Sequence, residues 1–284
     1  MRVLVTGATG QLGSDVVKCL QERGAECLGA GSADFDITDA EATRRFITAY
    51  RPDAVINCAA YTNVDGAETD EARCRAINAD GAANVAAACA ACGSKLLHIS
   101  TDYVFPGEGE QYYDTDDATG AACVYGRTKY EGELAVQAAM SRYFIIRISW
   151  VFGKNGKNFV KTMLRLGAER EEVRVVCDQI GSPTYTGDLA LLLADMAATE
   201  KYGVYHATNE GVCSWAEFAG EIFRQAGLPA RVVPIPTSEY PSAAKRPMNS
   251  RMSKECLDRA GFARLPDWRD ALVRCLEELR DQKA

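Results

Sequence analysis

The sequence predicts an α/β fold: a doubly wound parallel sheet followed by a smaller C-terminal α/β part. Three observations carry that expectation. Apolar β-forming runs alternate with helical patterns through the first 150 residues. Runs such as Leu96–Ile99 show no polar alternation, as expected of strands covered on both faces. A glycine-rich turn joins the first run directly to the first helical pattern.

The strand-like runs are Val3–Val5, Ala25–Ala30, Ala54–Asn57, Lys95–Ser100 and Phe144–Ile148. Between them lie helical patterns at Gln11–Arg23, Ala40–Ala49, Ala72–Ala91 and Tyr125–Ala139. After Trp150 the rhythm loosens. A helix is expected over Asn158–Gly167, a short strand at Val173–Val176, a helix from Asp188 to Ala198 and a strand at Tyr205–Ala207. Ser214-Trp-Ala-Glu217 reads as a capping box, in which Ser and Glu side chains satisfy each other's orphan amides. Loops punctuated by proline follow, and a last helix runs from Trp268 to Asp281. The expected division is a nucleotide-binding part, 1–150, and a mainly substrate-binding part, 151–284, with the strand near 203–207 returning to the first sheet.

Composition narrows the function. The 284 residues are 47% hydrophobic and 25% charged, with a formal net charge of −7. That balance has no basic footprint for nucleic acid or an anionic membrane, and no apolar run nears the ~18 residues of a membrane span. The eleven cysteines are scattered, and the single CxxC, Cys89 to Cys92, lies in a small-residue helical pattern without a second ligand pair. Reduced thiols, and no leader ahead of Val3, point to the cytoplasm.

Gly7-x-x-Gly10-x-x-Gly13 closes a strand and opens a helix. The first glycine permits a tight turn, the second lets backbone approach a pyrophosphate, and the third lets helix and strand pack closely. Gln11 and Leu12 would supply amides at the helix start, where an anion is favoured. The fold is therefore expected to be Rossmann-like. At the end of the second strand Gly31 and Ser32 stand where a carboxylate would hold a ribose 2′-hydroxyl, and Asp34 lies further on. Nothing there repels a 2′-phosphate, so the sequence leans to NADPH, with NADH tolerated.

Tyr125 and Lys129, in VYGRTKYEGE, are one helical turn apart. Reduction of a ketone makes an alkoxide that needs a proton. A phenol can supply it, and a nearby ammonium is expected to lower the phenol's pKa. Thr101, at the carboxyl end of the fourth strand in LLHISTDYVFPG, can share the developing charge, and Asp102 can hold a sugar hydroxyl.

TGATGQLG, RPDAVINCAAYTNVD, STDYVFPG, YGRTKYEGE, RISWVFG, NFVKTML, DQIGSPTYT and RPMNSRM occur in this order. Together they resemble the dTDP-4-dehydrorhamnose reductase family of the extended short-chain dehydrogenase/reductase superfamily. The resemblance implies NAD(P)H-dependent reduction of the 4-keto group of a dTDP-6-deoxy-hexulose, giving dTDP-L-rhamnose. It places the catalytic groups on Thr101, Tyr125 and Lys129. Cofactor contacts fall on Gly10-Gln11-Leu12, Asp36-Ile37 and Ala59-Ala60-Tyr61, and substrate contacts on Thr101, Asp102, Tyr125, Trp150 and Arg246. Trp150 could pack on a deoxysugar or simply fill core; Arg246 could bind the diphosphate or pair with a surface carboxylate.

Two departures stand out. Ala121-Ala122-Cys123 replaces the family's Pro-x-Asn ahead of Tyr125, which frees a backbone angle that proline would hold. Some family members dimerise through a carboxylate-bridged metal. Asp15 fits one such position, but Gly187 stands at another, so no metal and a monomer or weak dimer are expected. The rivals are a sugar-nucleotide 4-epimerase, a dehydratase, and a non-catalytic NADP-binding subunit resembling the methionine adenosyltransferase β subunit. Tyr103 after Thr101-Asp102 argues against the dehydratase, which needs an acidic residue there.

Overall fold

The computed structural model describes residues 1–281. Its main sheet has six strands, all parallel. In spatial order they are Gly203–His206, β5 (Tyr143–Ile148), β4 (Lys95–Thr101), β3 (Ala54–Asn57), β1 (Arg2–Thr6) and β2 (Glu26–Ala30). The order reverses after β1, so a crevice opens at the carboxyl ends of β1 and β3, where open α/β sheets bind ligands. The expected doubly wound α/β sheet is present.

The missing polar alternation has its cause in the packing. Successive side chains of a strand point to opposite faces. Val3, Val5, Ile56, Leu97, Phe144 and Ile146 enter one buried cluster, against α1 (Gln11–Glu22) and the helix Thr186–Ala197. Leu4, Val55, Leu96 and Ile145 enter the other, which includes residues of α2 (Ala40–Tyr50), α5 (Gly81–Cys92) and α6 (Val124–Ala139). A third cluster, around Phe152, Phe218 and Trp268, is the core of the C-terminal part.

The pattern read as one helix over Ala72–Ala91 is broken. After α3 (Val64–Ala67) come α4 (Glu71–Arg75), one π-helical turn over Ala76–Asp80, and then α5. The extra residue of a π turn re-aims the side chains on it. Asn78 uses the change: its Oδ1 accepts from the Tyr61 N–H at 2.8 Å, and its Nδ2 donates to the Tyr61 carbonyl at 3.2 Å. The capping box is formed. Ser214 Oγ accepts from the Glu217 N–H at 3.1 Å, and Glu217 accepts from the Ser214 N–H at 2.7 Å. Among the described residues no helix is long and apolar enough to cross a membrane.

Candidate active site

A cavity of about 1140 Å³ opens over the carboxyl ends of β1, β3, β4 and β5. Its first wall is the glycine turn. Gly7 has φ +64°, and a Cβ there would lie 2.8 Å from the Ala59 amide nitrogen. A Cβ on Gly13 would lie 2.2 Å from the Gly7 carbonyl oxygen. Those two positions therefore exclude side chains for reasons of backbone packing. Gly10 caps α1 without a side chain, and no acidic residue stands in the helix's first turn. The free amides of α1 thus face the cavity with the helix dipole unneutralised, a setting that suits a pyrophosphate.

At the end of β2, Gly31 and Ser32 line the cavity, while Asp34 turns back to accept from the Gly31 N–H at 2.8 Å. Asp36, Ile37, Ala59 and Ala60 line it as well, together with Gly7, Gly10, Gln11, Leu12 and Gly13. Tyr61 does not. Its backbone is held by Asn78 beside the wall. Sequence reasoning passed over Arg73 and Lys157, which bring positive charge to the lining from α4 and from the loop after the short strand Val151–Phe152.

The chemical groups meet at the end of β4. Thr101 Oγ1 donates to Asp102 Oδ1 at 2.9 Å and accepts from the Tyr103 N–H at 3.2 Å. Ser250, from the C-terminal part, donates to Asp102 Oδ2 at 2.5 Å. Burial pushes the Asp102 carboxyl up to about 6, against the hydrogen bonds from Ser250 and Thr101. Tyr125 stands in the first turn of α6 and meets the Tyr103 ring edge-on at 5.3 Å. Burial raises its phenol above the ordinary range, only partly opposed by the neighbouring Thr101 hydroxyl. The lowering expected from Lys129 is absent, and burial sets the direction. Desolvation disfavours the phenolate, and Lys129 Nζ spends a 2.6 Å hydrogen bond on the Ile99 carbonyl. The buried Lys129 is itself pushed down to about 8.

The segment lacking Pro-x-Asn finds other support. Glu68 accepts from the Val124 N–H at 2.8 Å, capping α6 beside Tyr125. Gly126 fits under Tyr103, whose carbonyl oxygen would lie 2.2 Å from a Cβ at that position.

Trp150 lines the cavity in a left-handed backbone conformation, φ 49°, that non-glycine residues seldom adopt. Its ring stacks on Trp215 at 3.7 Å. Arg246 stands behind the wall. It donates to Asp65 Oδ2 at 2.6 Å and to the hydroxyl of Tyr103, a lining residue, at 3.2 Å. Asp15 accepts from Thr186 at 2.5 Å and from Asn155 at 3.3 Å, so its carboxylate is engaged within the chain.

The family model described as the RmlD substrate binding domain matches residues 1–281. The chain belongs to that family. Among curated proteins it is similar to the dTDP-4-dehydrorhamnose reductase of Streptomyces griseus, 44% identical over 279 residues, covering 96% of this chain and 92% of that one. It is also similar to the spore coat polysaccharide biosynthesis protein SpsK of Bacillus subtilis, 41% identical over 277 residues, with 98% and 97% covered. Among solved structures, dTDP-4-dehydrorhamnose reductase of Bacillus anthracis in complex with NADP superposes with a TM-score of 0.95 at 44% identity, covering 98% of this chain and 99% of that one. A UDP-glucose 4-epimerase of Thermus thermophilus, at 21% identity and a TM-score of 0.86, shares the fold.

Proposed function

We propose that the protein reduces the 4-keto group of dTDP-4-dehydro-6-deoxy-L-mannose to give dTDP-L-rhamnose, using NADPH or NADH. The observation that carries this reading is the meeting of Thr101, Tyr125 and Lys129 on one cavity wall, across from a glycine turn suited to a dinucleotide. Relatives named for that reductase activity support it, as does the NADP complex of the Bacillus anthracis enzyme.

The nicotinamide cofactor supplies the hydride. Gly7, Gly10, Gln11, Leu12 and Gly13 would cradle its pyrophosphate, with Asp36 and Ile37 beside the adenine and Ala59, Ala60 and Tyr61 along the third strand's end. Tyr125 gives its proton to the alkoxide oxygen, and its raised pKa keeps that proton in place at neutral pH. Lys129 would hold the nicotinamide ribose and steady the phenolate left behind. Thr101 has one hydroxyl proton, and it goes to Asp102. To donate to the ketone oxygen, Thr101 has to turn from that carboxylate, and the change is easier once Asp102 carries a proton or binds a sugar hydroxyl instead. Trp150 offers an apolar ring face to the deoxysugar, held flat by Trp215. Arg246 binds the diphosphate by exchanging the Asp65 carboxylate for phosphate oxygens. On this reading residues 1–150 serve mainly the cofactor and 151–284 mainly the sugar nucleotide. The eleven free thiols suit the cytoplasm.

The test supplies the 4-keto sugar nucleotide and follows NADPH absorbance. Stoichiometric loss of NADPH is expected. Binding of both ligands without consumption would favour a non-catalytic role, and turnover without net consumption an epimerase.

A further inference from the structure

Lys129 is a buried ammonium whose one acceptor among the described residues, the Ile99 carbonyl, is neutral. A buried charge without compensation is costly and tends to lose its proton. A carboxylate that bears on it stands one helical turn further on, outside ion-pair contact. Glu133 is 1% exposed, in register with Lys129 on α6. Its Oε1 accepts from Ser100 Oγ at 2.5 Å and from Arg147 Nε at 3.0 Å, while Oε2 accepts from Arg147 Nη2 at 2.8 Å. Ser100 and Arg147 are themselves paired neighbours across β4 and β5. The carboxylate is thus gripped at three points, in a two-pronged geometry that fixes its position. Ser100 is the residue before Thr101, so the grip ties the helix carrying Tyr125 and Lys129 to the strand end carrying Thr101.

We propose that Glu133 is a positioning residue: gripped by Ser100 and Arg147, it fixes the helix turn that carries Lys129 against β4, and its carboxylate, shared with Arg147, steadies that ammonium through space. This inference rests on the reductase reading and extends it to a residue outside the cavity lining. Energetics point the same way. A buried ion pair contributes little net stability compared with well-packed apolar residues, so the Glu133–Arg147 pair is poorly explained by stability alone. Around Lys129 the other titratable groups are Cys74 on α4, Cys58 after β3, His98 on β4 and Tyr125 on its own helix, and the Arg147 cation on β5 lies beyond Glu133, bound to it. None of them is a carboxylate. His98 is kept neutral by burial and by Lys129 itself.

The experiment is the pH dependence of kcat in the full-length enzyme, with NADPH affinity and thermal stability measured alongside. Glu133→Gln keeps an acceptor for Ser100 but removes the charge. Its alkaline limb is expected to move down by about one pH unit, so that turnover at pH 8.5 falls by about tenfold more than at pH 6. Ser100→Ala, which removes a hydrogen bond and no charge, should lower Tm and leave that limb in place. An unchanged limb in folded, NADPH-binding Glu133→Gln would overturn the proposal. Should that variant not fold, Arg147→Lys keeps both charges but loses the two-pronged grip. It should lower kcat by about tenfold, and an unaltered kcat would overturn the proposal. Failure of the reductase reading looks different, because wild-type enzyme would then show no NADPH consumption at any pH.

Discussion

The turn after β1 and the end of β4 lie at the same edge of one sheet and face the same cavity, yet they are built from different materials. The turn is backbone. Gly7 and Gly13 matter because side chains there would strike main-chain atoms, and the setting it offers an anion is made of amides that any sequence of that shape would present. The end of β4 is side chains. Thr101, Asp102, Tyr125 and Lys129 have their properties set by burial, which holds the Asp102 carboxyl at about 6 and Lys129 at about 8. A backbone device is robust to its surroundings, whereas a device of buried titratable groups depends on everything packed around it.

That contrast can be broken most forcefully at Tyr125. Tyr125→Phe removes the proton donor and leaves the turn intact, so turnover should fall by about 10²–10⁴-fold with NADPH affinity nearly unchanged, as read by steady-state kinetics and fluorescence titration. Retained turnover would place the proton donor elsewhere. Gly7→Ala does the reverse. The left-handed φ and the contact with Ala59 together should cost about 2–4 kcal/mol in denaturant unfolding, and NADPH affinity should drop while the ionisations at the end of β4 persist.

Asp102→Asn sharpens the comparison through pH. A carboxyl whose pKa is raised in the fold adds stability that is fully present below its unfolded value, and this is lost as pH rises through the folded one. Relative to Asn, the wild type should therefore lose about 1–3 kcal/mol between pH 4 and 7, with the change centred between the ordinary 3.8 and about 6. Urea titrations of both proteins across that range measure it, and parallel pH curves would mean the carboxyl is not held in its neutral form. The smallest effect is expected at Glu68. Glu68→Ala removes the cap on the Val124 N–H and should cost about 1 kcal/mol or less, lowering Tm slightly with a modest loss of turnover.

Much of this could be read from the chain alone. The five β-rich runs match β1 to β5 to within about two residues, because unbroken apolar runs need covering on both faces. The Ser214–Glu217 cap was legible because its two partners are three residues apart. The π turn at Ala76–Asp80 was not, since one added residue leaves no mark on an alanine-rich pattern. Nor were the two-residue strands of the C-terminal part, which are too short for any periodicity. Arg73 and Lys157 come to the cavity from distant stretches of sequence, and the grip on Glu133 joins three elements. No local pattern carries such meetings. From the sequence Arg246 admits a diphosphate role or a carboxylate partner, and the structure displays its contact with Asp65.

The sequence by itself determined the order of the main strands and helices of the first sheet, the glycine turn and the reactive side-chain types, because each depends on neighbours within a turn or a strand. The tertiary structure decided which charges are buried together, how strongly Asp102, Tyr125 and Lys129 hold their protons, and which distant residues steady them. Those quantities are set by desolvation and by charges a few ångströms away in space, and spacing along the chain carries no record of either.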